Sequence, residues 1–183
     1  MPRIKTSEKD LYIHVRSGDI FSTIINIYYA QPPLCFYKYI LNNYNFSKVY
    51  LISFDKSNPV IQKLINQFPY IIYAKQSLEY DIAQLVNAYN IVSSISSFLN
   101  LIIQLNINLK FLWDYNIFKL SEKIYLLHYD LYKYPNNNFT IFRMEPSDKY
   151  RAKMYIWKNS KIQRKLMIKE KCNNFFSIIN KVI

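Results

Sequence analysis

The alternation of short apolar runs with amphipathic stretches of about ten residues constrains this chain more than any other feature. Leu11–Arg16, Lys48–Ser53, Tyr70–Ala74, Asn90–Ser94 and Leu109–Trp113 read as strands. Leu34–Asn43, Pro59–Phe68, Leu78–Ala88 and Ser97–Leu105 read as the helices between them. Asn58 ahead of Pro59 is a cap followed by a first-turn proline, an ordinary helix start. Strands joined by helices of this length form βαβ units, which bury a parallel sheet between two helical layers. The expected fold is therefore α/β, a Rossmann-like, mostly parallel sheet with helices on both faces. Past Trp113 the pattern loosens. Lys123–His128 and Phe139–Met144 read as strands joined by the polar loop Pro135–Asn138, and Pro146–Met154 and Ser160–Cys172 read as helices. A length of 183 residues suits a single domain, with a core over about 10–145 and a basic, helical C-terminal region over about 146–183.

Composition narrows the function classes. A hydrophobic fraction of 51% excludes a disordered tail. Cys35 and Cys172 lie far apart, so no disulfide framework is expected, and a reducing, cytoplasmic location follows. Those thiols with His14 and His128 match no zinc-ligand spacing. The polar N-terminus lacks a signal peptide, and no run of ~18 apolar residues spans a bilayer. A net charge of +12 suits phosphates, nucleic acid or acidic membranes, although drift toward lysine in an AT-rich genome gives the same figure. It is densest over Arg143–Lys171. Glycine is nearly absent. An average chain of this length holds roughly a dozen at about 7% usage, whereas Gly18 stands alone here.

In parallel sheets ligands bind beyond the carboxyl ends of the strands, which singles out Arg16–Asp19, Ser53–Asn58 and Ser93–Phe98. Along the first strand Leu11, Ile13 and Val15 share one face, and Tyr12, His14 and Arg16 the other. The planar fork of Arg16 matches phosphate oxygens, and Gly18 permits a tight bend beside a ligand. Two readings stand at this point: a phosphate clamp, or a surface ion pair of Arg16 with Asp19.

His14-Val15-Arg16-Ser17-Gly18-Asp19 resembles the first motif, His-x-Arg-Arg-x-Asp, of the α1,2-, α1,6- and protein O-fucosyltransferase superfamily. Val49–Asp55 is similar to that family's strand ending in a Ser/Thr-Asp turn. Asp81–Phe98 resembles its Asp-Leu helix, apolar strand and Ser/Thr-x-Ser-Ser turn. The resemblance runs over about Leu11–Trp113 and extends less fully to Trp157–Arg164. It implies the donor-binding half of a GT-B glycosyltransferase, with GDP-fucose or a related nucleotide sugar as substrate, inversion at the sugar, and no metal or other cofactor. Arg16 would bind the diphosphate, His14 would approach guanine or its ribose, and Asp81 would accept hydrogen bonds from guanine. Gly18, Ser96, Ser97 and Phe98 would complete the donor site, the last three as a phosphate cradle at a helix N-terminus. The absence of any Asp-x-Asp sequence agrees with a metal-free enzyme.

Plainer roles compete at each position. Asp81 favours its helix N-terminus, Ser96 serves as an N-cap, Asp55 caps the helix near Asn58, and His14 is a structural histidine. The family's second arginine is Ser17 here, and the glutamate base of the α1,6 branch falls at Ile24. No general base is therefore assigned; Asp19 beside Arg16 is the nearest catalytic candidate. Relatives carry a further domain before the first motif. A glycan or glycoprotein acceptor is thus expected to sit against another chain or a second copy. The alternatives are a nucleotide-sugar-binding partner subunit and, last, a basic nucleic-acid-binding protein.

Overall fold

The computed structural model describes residues 4–22, 29–73, 76–117, 139–172 and 176–180. The expected strand at 123–128, the loop at 135–138 and Ile24 lie outside the described residues. Seven strands form one sheet: β1 (Asp10–His14), β2 (Lys48–Ile52), β3 (Ile71–Ile72), β4 (Asn90–Val92), β5 (Phe111–Tyr115), β6 (Thr140–Met144) and β7 (Ser177–Asn180). Among the described residues six helices accompany them: α1 (Leu34–Asn43), α2 (Pro59–Gln67), α3 (Leu78–Asn87), α4 (Ser97–Leu105), α5 (Asp148–Met154) and α6 (Lys161–Lys169). The strand order is β3-β2-β1-β4-β5-β6-β7. All neighbours pair in parallel except β6 and β7, which are antiparallel. The fold is the expected Rossmann-like α/β arrangement.

Two cores cover the two faces of the sheet. Leu11, Ile13 and Val15 join buried side chains of α1, α2, α5 and α6, including Phe36, Ile61, Tyr150 and Met167. Tyr12 faces the other way, with Ile91 and Leu112, toward Leu85 of α3 and Leu99, Ile102 and Ile103 of α4. The spacing of those three α4 residues is helical, so one stripe is buried, each side chain contributing roughly 1.5–3 kcal/mol. Asn58 caps α2 by accepting the Val60 N–H, with Pro59 at the first helical position.

Three expectations are corrected. Asp55 does not cap α2, because Asn58 does so itself. The C-terminal region is not all helical, since β7 returns to pair with β6. Cys35 and Cys172 form a disulfide across 137 positions, with their Cα atoms 5.5 Å apart. Packing of α6 against α1 brings these distant cysteines together, and the reducing-compartment expectation loses its support.

Candidate functional site

Strand order reverses between β1 and β4. The chain runs outward from β1 to β2 and β3, then returns to place β4 on the other side of β1. Loops leaving the two strands diverge there, and an open α/β sheet forms its ligand crevice at such a point. A cavity of about 450 Å³ lies in this place, within the range of small-molecule sites. His14, Arg16, Ser17, Asp19, Gln76 and Asp81 supply polar atoms to its wall. Phe54, Leu78 and Phe98 give it an apolar side, and the first two are 77% and 62% exposed at its mouth.

The backbone of Arg16 is fixed from two directions. Its N–H donates to Ser94 Oγ at 3.1 Å, and its carbonyl accepts from Asn58 Nδ2 at 2.9 Å. Its guanidinium lies 5.3 Å from the centre of the Tyr29 ring. Nη1 donates to Ser96 Oγ at 3.3 Å, while Nη2 donates to both Asp19 oxygens at 3.0 and 2.7 Å. Both sequence readings of Arg16 thus meet in one place: the ion pair is formed, and it stands in the wall of the cavity. Arg16 Nε and Gln76 Oε1 are buried with no hydrogen-bond partner among the described residues. A buried donor or acceptor left unpaired costs about 1–3 kcal/mol. Both residues line the cavity, where a polar ligand or water can supply the missing partner.

His14 is buried, with its ring 5.6 Å from Phe98 and Nδ1 2.7 Å from Ser94 Oγ. Ser94 Oγ already accepts the Arg16 N–H, so its own proton is available to Nδ1. The bond can run either way: Nδ1 accepts from the hydroxyl when the proton is on Nε2 and donates to it when the proton is on Nδ1, and the ring is neutral in both cases. Burial, reinforced by the Arg16 charge, pushes the imidazole down to about 3. His14 therefore contributes a neutral wall to the cavity and no charge for a phosphate.

Asp81 stands in the first turn of α3, half-buried at the cavity wall, and burial raises its carboxyl to about 6. Helix α3 is capped by Ser77, so Asp81 is not needed for that purpose. A carboxylate desolvated in this way destabilises the ligand-free protein once ionised. Its contribution is most favourable below the unfolded value near 3.8 and is lost as pH rises through about 6. Asp81→Asn should therefore raise the ligand-free melting temperature at pH 7.5, by an amount that fades to nothing below about pH 4. A melting temperature unchanged or lowered at pH 7.5 would show that the carboxylate is stabilised in place and not held at a cost.

Several expected site residues are engaged in hydrogen bonds within the scaffold. Gly18 adopts φ +71, and a Cβ there would come 3.0 Å from the Phe54 ring. Its N–H is used by Asp55 Oδ1 at 3.2 Å and Ser57 Oγ at 2.8 Å, so it is not presented to a ligand. Burial opposes ionisation of Asp55, but hydrogen bonds from Ser57, Ser17 and Gly18 prevail and hold its carboxyl below the usual range. Ser17 Oγ takes the Asp55 N–H and bonds Ser53 Oγ, closing a latch between the β1 and β2 loops. Ser96 occupies the α4 N-cap position without capping through its side chain, its hydroxyl being turned to Arg16. Ser97 is exposed, and neither Ser96, Ser97 nor Gly18 belongs to the cavity lining.

The residues that sequence reading missed come from the C-terminal region. Trp157 Nε1 donates to Ile20 O at 2.8 Å, Arg164 Nη2 to Phe21 O at 3.1 Å, and Asn159 Nδ2 to Ser22 O at 3.0 Å. Three successive carbonyls of the turn carrying Asp19 are thereby held by one distant segment. Asn159, with φ 50, is itself fixed by Arg164 Nε at 2.7 Å. The Trp157–Arg164 run was visible in the sequence only as a faint resemblance; its clamp role depends on tertiary contact. Compared with models of known protein families, with curated proteins and with solved structures, the chain matches none.

Proposed function

We propose that this chain binds a nucleotide sugar in the crevice between β1 and β4, as the donor site of a fucosyltransferase-like glycosyltransferase. One observation carries the reading: the Arg16 guanidinium stands at the switch point of the sheet with Nε buried and unpartnered. A diphosphate offers Nε a charge-assisted acceptor, and by displacing Asp19 from Nη2 it would take the paired geometry the fork is shaped for. Asp81, in the lining of the same cavity, is an acceptor suited to base N–H groups, with Phe98, Phe54 and Leu78 as apolar walls for a ring. Asp19 holds Arg16 in its present orientation, so it is a positioning residue for the clamp. GDP-fucose, inversion and metal independence come from the resemblance of the three motifs, and no general base is assigned.

A second reading, a nucleotide-sugar-binding partner subunit, draws support from the cavity mouth. Phe54 and Leu78 are large apolar side chains that line the crevice and are also exposed, as at a surface completed by another chain. The acceptor would then sit between this domain and a second chain or copy.

A thermal-shift panel of GDP, UDP and dTDP sugars tests the donor assignment. GDP or GDP-fucose at ~100 times its dissociation constant should add about 2.7 kcal/mol, unchanged by EDTA. Stabilisation by UDP-sugars alone, or dependence on a divalent cation, would overturn it.

A further inference from the structure

We propose that the surface built by α5, α6 and the turn between them docks on an anionic lipid bilayer. The first observation is where the charge lies. From Lys149 to Lys171 the chain has nine lysines and arginines against a single acid, Glu170, and this stretch carries +8 of the total +12. Lysine occurs along the whole chain, but 7 of its 19 copies fall in this one stretch. The second observation is how those cations are used. Arg151 and Arg164 turn inward, to Glu145 and to Asn159 and the Phe21 carbonyl. All seven lysines are exposed, and none enters an ion pair among the described residues.

The third observation separates a bilayer from a nucleic acid. Ile162 is 69% exposed and Ile156 48% exposed, both within this basic stretch of the chain. Gln163 Nε2 donates to Lys153 O at 3.0 Å and Ile156 O at 2.8 Å, which fixes the end of α5 and Ile156 beside the start of α6. On α6, Ile162 shares a face with Lys165 and Lys169. A phosphate backbone rewards lysines but gives exposed isoleucines nothing. The headgroup boundary of an anionic bilayer rewards both, through charge attraction and through shallow burial of aliphatic side chains. Tyr155, 42% exposed in the same turn, is a residue type enriched at that boundary. Among the described residues no helix is long and apolar enough to cross a membrane, so the attachment is peripheral. Trp157, Asn159 and Arg164 project from this same segment onto the Gly18–Ser22 turn, so the docked face and the Arg16 crevice share one rigid connection.

Co-sedimentation of the full chain with vesicles tests the proposal. Phosphatidylcholine vesicles containing phosphatidylglycerol should retain the protein at low salt and release it as salt rises, while pure phosphatidylcholine should not retain it. With each lysine contributing about fivefold, Lys158→Gln, Lys161→Gln, Lys165→Gln and Lys169→Gln together should cost at least ~100-fold in vesicle affinity. These are exposed positions, so the variant's melting temperature should match wild type, which keeps the comparison clean. Ile162→Ser alone should weaken vesicle binding several-fold and leave the salt dependence as it was. Absence of binding to anionic vesicles, equal binding to neutral ones, or a quadruple variant that binds like wild type would each overturn the proposal. So would an Ile162→Ser protein with unchanged vesicle affinity and tighter binding of wild type to a single-stranded oligonucleotide, the signature of a nucleic-acid surface.

Discussion

Acidifying the wild-type protein from pH 7 to pH 4 should remove on the order of several kcal/mol of stability through one side chain, His14. In the unfolded chain a histidine takes up its proton near pH 6.5. In the folded protein burial, with the Arg16 charge beside it, delays protonation to about pH 3. The unfolded state therefore binds the extra proton across this interval, and stability falls as pH drops from about 6.5 toward 3. Asp81 acts with the opposite sign between about pH 6 and pH 4, so total stability falls less steeply than the His14 contribution alone. His14→Gln cannot titrate and keeps a polar side chain for Ser94. Its urea midpoints should therefore be lower than wild type at pH 7 and converge on, or exceed, wild type by pH 4. Parallel pH curves for the two proteins would mean that His14 is not the buried neutral group described above.

Reduction should produce the other large effect. The Cys35–Cys172 bond joins α1 to the chain just after α6 and closes a loop of 137 positions. Cross-links of such long loops contribute about 2–5 kcal/mol, chiefly by restricting the unfolded chain. For a protein of this size that corresponds to a melting temperature lower by roughly 5–20 °C in reductant. Cys35→Ser with Cys172→Ser should melt at the reduced value and be insensitive to reductant. Identical melts with and without reductant would contradict the bond. Because α6 also carries Arg164, which holds the turn bearing Asp19, reduction should loosen that turn before it disturbs β1 and β2.

Helix α1 and helix α4 were legible to the residue, because each has a sharp start and one buried stripe. The alternation in Leu11–Val15 gave the two faces of β1 correctly, because a period of two is a local property of the chain. The site was legible in outline: His14, Arg16, Asp19, Asp81 and Phe98 do converge on one cavity. What remained hidden depends on tertiary neighbours. No spacing rule could pair Cys35 with Cys172, place Tyr29 under Arg16, or bring Trp157 to Ile20. The hydrogen bonds of Ser96 and Gly18 were hidden for a related reason. A serine at a helix start is read as a cap and a lone glycine as a ligand contact, whereas Arg16 claims the Ser96 hydroxyl and Asp55 with Ser57 claim the Gly18 N–H.

The proposed diphosphate site stands or falls on Arg16. Calorimetric titration of GDP into wild type, Arg16→Lys and Arg16→Ala, alongside the ligand-free melt of each, tests it most directly. Charge-assisted hydrogen bonds to a diphosphate are worth about 1.5–3 kcal/mol, and lysine keeps the charge but loses the fork. Arg16→Lys should therefore weaken GDP by about tenfold or more, and Arg16→Ala further still. Asp19 is 68% exposed, and a pair of that kind contributes about 0–1 kcal/mol, so both ligand-free melts should stay close to wild type. If Arg16→Ala binds GDP as wild type does, or loses binding only in step with a collapsed melt, Arg16 is a structural partner of Asp19 and the crevice is not a diphosphate site.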